Sequence, residues 1–65
     1  MTLGDKIKSL RKEQKLSQSK LAKLCNLNET SICHYESNKT KPSLTTLQKL
    51  ATGLHCDFEE LYELL

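Results

Sequence analysis

Ser17-Gln18-Ser19-Lys20-Leu21-Ala22-Lys23-Leu24-Cys25-Asn26-Leu27-Asn28-Glu29-Thr30-Ser31-Ile32-Cys33-His34-Tyr35 decides the fold. Leu21, Leu24 and Cys25 recur at the i, i+3, i+4 spacing of a helix with one inward stripe. Ser17 ahead of them is a good N-cap, because its hydroxyl can accept from a free backbone N–H of the first turn. Asn26 tolerates the left-handed backbone that ends helices, so the first helix of the pair spans residues 18 to about 25. Leu27 puts an apolar residue in a tight connection. Asn28 caps the second helix, 29 to about 37, whose core contacts are Ile32 and Tyr35. A link this short makes the two helices cross steeply, near the ~90–120° of a helix-turn-helix. The helix-turn-helix core is placed at residues 18–36.

Working outward, the pattern stays helical. Thr2 caps a helix over residues 3 to about 14, with Asp5 three places on as a capping box. Leu3, Ile7 and Leu10 form its stripe. The stretch 37–43 reads as a loop, with Asn38 as its left-handed residue. Ser43 caps a fourth helix, 44 to about 53, with Leu44, Leu47, Leu50, Ala51 and Leu54 as its apolar set. Asp57, with Glu60 three residues later, caps a fifth that carries Phe58, Leu61, Tyr62, Leu64 and Leu65. There is little β-branched alternation, so strands are not expected. The expectation is one all-α domain over residues 1–65, a compact bundle of five short helices.

Size and charge narrow the functions. A chain of 65 residues has room for a small core and no deep cofactor cavity. No nucleophile–base arrangement and no phosphate-cradling glycine loop is visible, so an enzyme is not expected and no cofactor is implied. All ten Lys and Arg lie in residues 1–56 beside four acids, and residues 57–65 hold the other four acids. A basic body suits a polyanion, and the acidic end should point away from it. Cys25, Cys33 and Cys56 read as reduced thiols acting as small hydrophobes. Cys33-His34 and His55-Cys56 are adjacent pairs, which rarely both reach one tetrahedral ion, so no metal site is expected. The start lacks a signal-peptide pattern and no run approaches a membrane span, so the expected location is cytoplasmic, of bacterial or phage type.

The exposed face of the second helix of the pair carries Glu29, Thr30, Cys33 and His34. These are short or polar groups near a helix N-terminus, where base edges are met when a helix enters the major groove. Gln18 and Ser19 at the preceding helix start, Asn28 and Ser31, and the loop Asn38-Lys39-Thr40-Lys41 supply amides, hydroxyls and cations for phosphate. Glu29 has two open readings. It complements the helix dipole, or it accepts from cytosine N4.

Leu16-Ser17-Gln18-Ser19-Lys20-Leu21-Ala22 resembles the opening of the Cro/C1-type (XRE) helix-turn-helix family, with its lambda-repressor-like domain. The resemblance continues through Ile32, Tyr35-Glu36, Lys39, Pro42-Ser43-Leu44, Leu47, Leu50-Ala51, Leu54 and Glu60-Leu61. It implies sequence-specific binding of double-stranded DNA and transcriptional regulation, as a repressor. It implies that Gln18 binds phosphate and braces the recognition helix, and that Glu29, Thr30 and His34 are base-reading. It also implies an ion pair between Arg11 and Glu36. Lys15, Asn26 and His55 stand where the family commonly has glycine, so His55 should sit in a costly backbone conformation.

Operators are commonly near-palindromes read by two-fold dimers. Phe58, Leu61, Tyr62, Leu64 and Leu65 offer more apolar surface than a small core absorbs, and a homodimer interface is expected there. The rival function is a protein-interaction module, such as an antitoxin or a regulator's partner on the same fold. The short chain looks like a phage- or mobile-element-type regulator or an excised DNA-binding domain.

Overall fold

The computed structural model describes residues 1–65 and contains five helices with no strand. They are α1 (Leu3–Glu13), α2 (Gln18–Leu24), α3 (Glu29–Glu36), α4 (Leu44–Leu54) and α5 (Phe58–Tyr62). The observed boundaries of α1 to α4 and the start of α5 lie within about two residues of those read from sequence, but α5 ends at Tyr62, so Leu64 and Leu65 lie beyond it. The polar residues expected as caps stand at all five helix starts. Thr2, Ser17, Asn28 and Ser43 each accept from the backbone N–H three residues on. Asp57 uses the other half of a capping box, its backbone N–H donating to Glu60 Oε2 at 3.1 Å.

The helix ends share one construction. Lys15, Asn26, Asn38 and His55 follow α1 to α4, all with φ between 56 and 63°. In each case the next residue's N–H reaches back five residues: Leu16 to Arg11, Leu27 to Ala22, Lys39 to His34 and Cys56 to Ala51. This is the Schellman closure, normally built on glycine because a β-carbon is strained there. Neither of the chain's glycines occupies such a position. His55 does adopt the expected left-handed conformation, with φ 56° and ψ 44°.

Three of the four connections are then completed by the same three residues in order: a left-handed residue, an apolar one and an N-cap. They are Lys15-Leu16-Ser17, Asn26-Leu27-Asn28 and His55-Cys56-Asp57. Leu16, Leu27 and Cys56 pack against the core, so one side chain both closes the outgoing helix and steers the incoming one. Only the α3–α4 connection is longer. It runs through Lys39, Thr40 and Lys41 to the buried Pro42.

The core is drawn from every helix: Leu3, Ile7, Leu21, Ala22, Cys25, Ile32, Leu47, Leu50, Ala51, Leu54 and Leu61. Leu10 and Tyr35, also expected there, are partly buried and pack against this core, and two further expected members lie outside it. Leu24 is 48% exposed and Leu44 is 54% exposed. In α2 the inward stripe runs through Leu21, Ala22 and Cys25, which turns Leu24 to the rim. Leu44, the first residue of α4, lies one turn before Leu47, the first α4 side chain the core encloses. Ala22 is 3% exposed where α2 meets its neighbours, and a larger side chain would hold the helices apart.

Gly53 has a different purpose from a helix end. A β-carbon there would fall on Cys25 Sγ. Glycine inside α4 therefore lets that helix lie directly on the end of α2. Gln14 fastens the other side, its Nε2 donating to the terminal carbonyl of Leu54 at 2.5 Å.

Candidate nucleic-acid interface

The recognition surface begins with how α3 is held. Ile32 is wholly buried and Tyr35 half-buried. The helical period then carries Glu29, Thr30 and Cys33 into solvent and leaves His34 half-exposed. The four residues expected to read bases therefore lie away from the core. Asn28 fixes the start of α3, its Oδ1 accepting from Ser31 N at 2.7 Å.

The end of α3 is held by one carboxylate. Arg11 Nε donates to Glu36 Oε2 at 2.6 Å and Arg11 Nη2 to Oε1 at 3.1 Å. Gln18 Nε2 donates to the same Oε1 at 3.1 Å. The remaining arm of the guanidinium, Nη1, reaches the Leu16 carbonyl at 2.7 Å. Glu36 is only 7% exposed, so both its oxygens are satisfied away from bulk water. A planar fork suits this task, since it meets two carboxylate oxygens at once. The start of α2, the last turn of α1 and the last turn of α3 thus converge on Glu36.

A second tie joins α3 to the start of α1. Gly4 N donates to Asn38 Oδ1 at 3.0 Å, and Asn38 Nδ2 donates to Thr2 Oγ1 at 3.0 Å. Both ends of the Asn38 amide are engaged inside the fold. The side chain is a strut between α1 and the residue after α3, while Asn38 itself stays exposed with one Nδ2 hydrogen unused. The contact needs glycine at position 4, because a β-carbon there would lie 2.6 Å from the Tyr35 and Glu36 carbonyl oxygens. The sequence reading missed Gly4. Its one signal was a glycine inside a helix, which costs about 1 kcal/mol relative to alanine and so points to a close approach.

The remaining expected phosphate groups border α3. Ser19 is exposed in the first turn of α2, beside the half-buried Gln18. Lys39, Thr40 and Lys41 are exposed in the long loop. Lys20 and Lys23 on α2 are exposed as well.

The far end of the molecule differs from expectation at one position. Leu61 is 0% exposed and belongs to the core, so it cannot meet a partner. The helical stripe shows that Leu61 is apolar-facing but not how deep it lies. Phe58 and Leu64 are half-buried against the core. Tyr62 and Leu65 remain 52% and 41% exposed. The Phe58 and Tyr62 rings stack with centroids 5.5 Å apart. Lys6 and Glu60 form a long, partly exposed contact of 3.9 Å between α1 and α5.

All three cysteines are free thiols, and no three of the His, Cys, Asp and Glu side chains gather as a metal site. Burial pushes the Cys25 thiol up to about 11, which keeps it neutral in the core. Burial also raises Cys56, helped by the nearby Glu60 carboxylate.

Comparison with known proteins agrees with this geometry. The helix-turn-helix family model HTH_3 matches residues 7–61. The chain is 43% identical over 54 residues to the immunity repressor protein of Bacillus phage phi105, covering 83% of this chain and 38% of that one. It therefore spans well under two thirds of that relative's length. The P22 c2 repressor, solved in complex with a synthetic operator, superposes with a TM-score of 0.89 at 28% identity, covering 94% of this chain and 92% of that one. The restriction-modification controller protein C.AhdI from Aeromonas hydrophila gives a TM-score of 0.88 at 34% identity, with 91% and 89% covered.

Proposed function

The chain belongs to the HTH_3 helix-turn-helix family, and on that basis we propose that it binds double-stranded operator DNA as a transcriptional regulator, with α3 in the major groove. The observation that carries this reading is the Glu36 anchor. Arg11 and Gln18 hold α3 rigidly from behind while Glu29, Thr30, Cys33 and His34 stand free in front. Those four are the base-reading set. Ser19, Ser31, Lys39, Thr40 and Lys41, with the N–H groups at the start of α2, take phosphate. Asn28 contributes through its free amide N–H groups, and Gln18 both braces Glu36 and faces the backbone.

Repression is the regulatory sense favoured by the similarity to a phage immunity repressor. The DNA-reading unit is a homodimer on a near-palindromic site. Its contact uses the exposed Tyr62 and Leu65 with the flanks of Phe58 and Leu64. The acidic residues of this end then lie away from phosphate.

The test is selection of bound duplexes from a random pool, followed by a salt titration on the selected site. Affinity falls steeply with salt, and Lys39→Ala and Lys41→Ala each lower the slope by about 1 without changing the selected sequence. An affinity indifferent to salt, or a pool with no enriched sequence, would overturn the proposal and favour a protein partner.

A further inference from the structure

Glu29 is an unusual group to find on a DNA-facing surface. Residues 14–56 contain two carboxylates, Glu29 and Glu36. Glu36 is buried under Arg11 and Gln18. Glu29 is exposed at the first position of α3 and takes part in neither of the molecule's two ion pairs.

The rest of α3 sharpens the point. Its sequence from Glu29 to Glu36 has no Arg, Lys, Asn or Gln. The side chains that read guanine with paired donors, or adenine with a donor and an acceptor, are therefore missing from the helix. An ionised carboxylate only accepts hydrogen bonds, and DNA phosphates repel it. Inside a major groove it is favourable only against a base-edge donor. Two such donors exist, cytosine N4 and adenine N6, and adenine sets the acceptor N7 beside its donor. A carboxylate facing adenine meets that lone pair as well. Cytosine is the base edge that suits it.

We propose that Glu29 is a specificity-determining residue that selects cytosine at one position of each half-site. It accepts from the exocyclic N4 amino group and disfavours pairs that present acceptors at that place. The inference rests on the DNA-binding reading above and names the chemistry of its target. A first-turn acid also suits the positive end of a helix. That role affects stability and leaves base preference untouched, so the two can be separated.

The experiment selects duplexes from a random pool with the wild type, Glu29→Gln and Glu29→Ala, and follows thermal melting of each. The wild-type pool should fix a cytosine at one position per half-site, with discrimination of about tenfold or more over other bases. Glu29→Ala should lose that preference, and Glu29→Gln should shift it toward adenine. Both should bind random-sequence duplex at least as tightly as the wild type, because one negative charge is gone. Identical base preferences in all three proteins, or a wild-type pool with no fixed cytosine, would overturn the inference while leaving DNA binding intact. A wild type that binds no duplex at all would overturn the proposed function and this inference together.

Discussion

Arg11 and Glu36 lie 25 residues apart in sequence, yet Arg11 Nε and Glu36 Oε2 are 2.6 Å apart in space. Both side chains are largely shielded from water, at 11% and 4% exposed. Removing one partner strands the other. Arg11→Ala should cost about 3–5 kcal/mol, most of the stability of a domain this small. Arg11→Lys should recover only part of it, because an ammonium cannot copy the two-point fork or the bond to the Leu16 carbonyl. Urea unfolding of the three proteins measures both effects, and a wild-type midpoint for Arg11→Ala would refute the anchor.

Gly53 and Cys25 should behave as a coupled pair. Gly53→Ala places a methyl on Cys25 Sγ and should destabilise by about 1–3 kcal/mol, as overpacking does. Cys25→Ala removes that sulfur and leaves a small void. The double variant should lose less than the two single losses together, giving a coupling of at least about 0.5 kcal/mol in a double-mutant cycle. Strict additivity would mean that the helices already separate at this point.

Two left-handed positions are open to improvement. Lys15 and His55 have φ of 58 and 56°, a region that strains any residue with a β-carbon. Lys15→Gly and His55→Gly relieve that strain and lose a little to the freer unfolded chain. Each should gain about 0.5–1 kcal/mol, a rise of roughly 2–8 °C in melting temperature for a domain of this size. Asn26→Gly should gain less, since asparagine adopts this conformation more readily.

Asp5 supplies an acid-sensitive contact. The Thr2 backbone N–H and hydroxyl hold its carboxyl below the ordinary 3.8, although it is open to solvent. Its stabilising effect is therefore complete above that value and fades as pH falls through the lower folded one. Asp5→Asn should lower the melting temperature slightly at neutral pH, where the carboxylate's effect is complete, and flatten its decline below about pH 4. A decline as steep as that of the wild type would place the sensitivity in another carboxylate.

The elements were legible in the sequence because their signals are local. A Ser, Thr, Asn or Asp at each cap and an apolar period of 3.6 fix where helices start and which face turns inward. Periodicity does not give depth, which depends on what the rest of the chain brings to that face. Leu24 and Leu44 thus lie at the rim, and Leu61 lies in the core where an interface was expected. Residues acting between distant segments were also hidden. Gln14 bonds the Leu54 carbonyl, and Asn38 spans to Gly4 and Thr2 across more than thirty positions. Nothing in the neighbours of Asn38 distinguishes a strut from a phosphate ligand. Arg11 and Glu36 entered only through family resemblance, since two charges 25 positions apart carry no spacing rule.

The repeated joint of left-handed residue, apolar residue and cap bears on how fast the chain finds its shape. Each joint closes over about six residues, so three corners of the molecule can be made with little loop-closure entropy. Few distant pairings are left to search, and the domain should fold in the microsecond-to-millisecond range typical of small helical proteins. The Arg11–Glu36 and Gly4–Asn38 bonds join segments 25 and 34 positions apart, which carry the larger loop-closure cost. Arg11→Ala should accordingly hasten unfolding more than it slows folding, which the two limbs of a stopped-flow chevron would report. A domain joined in this way reaches its native shape without waiting for any slow long-range closure.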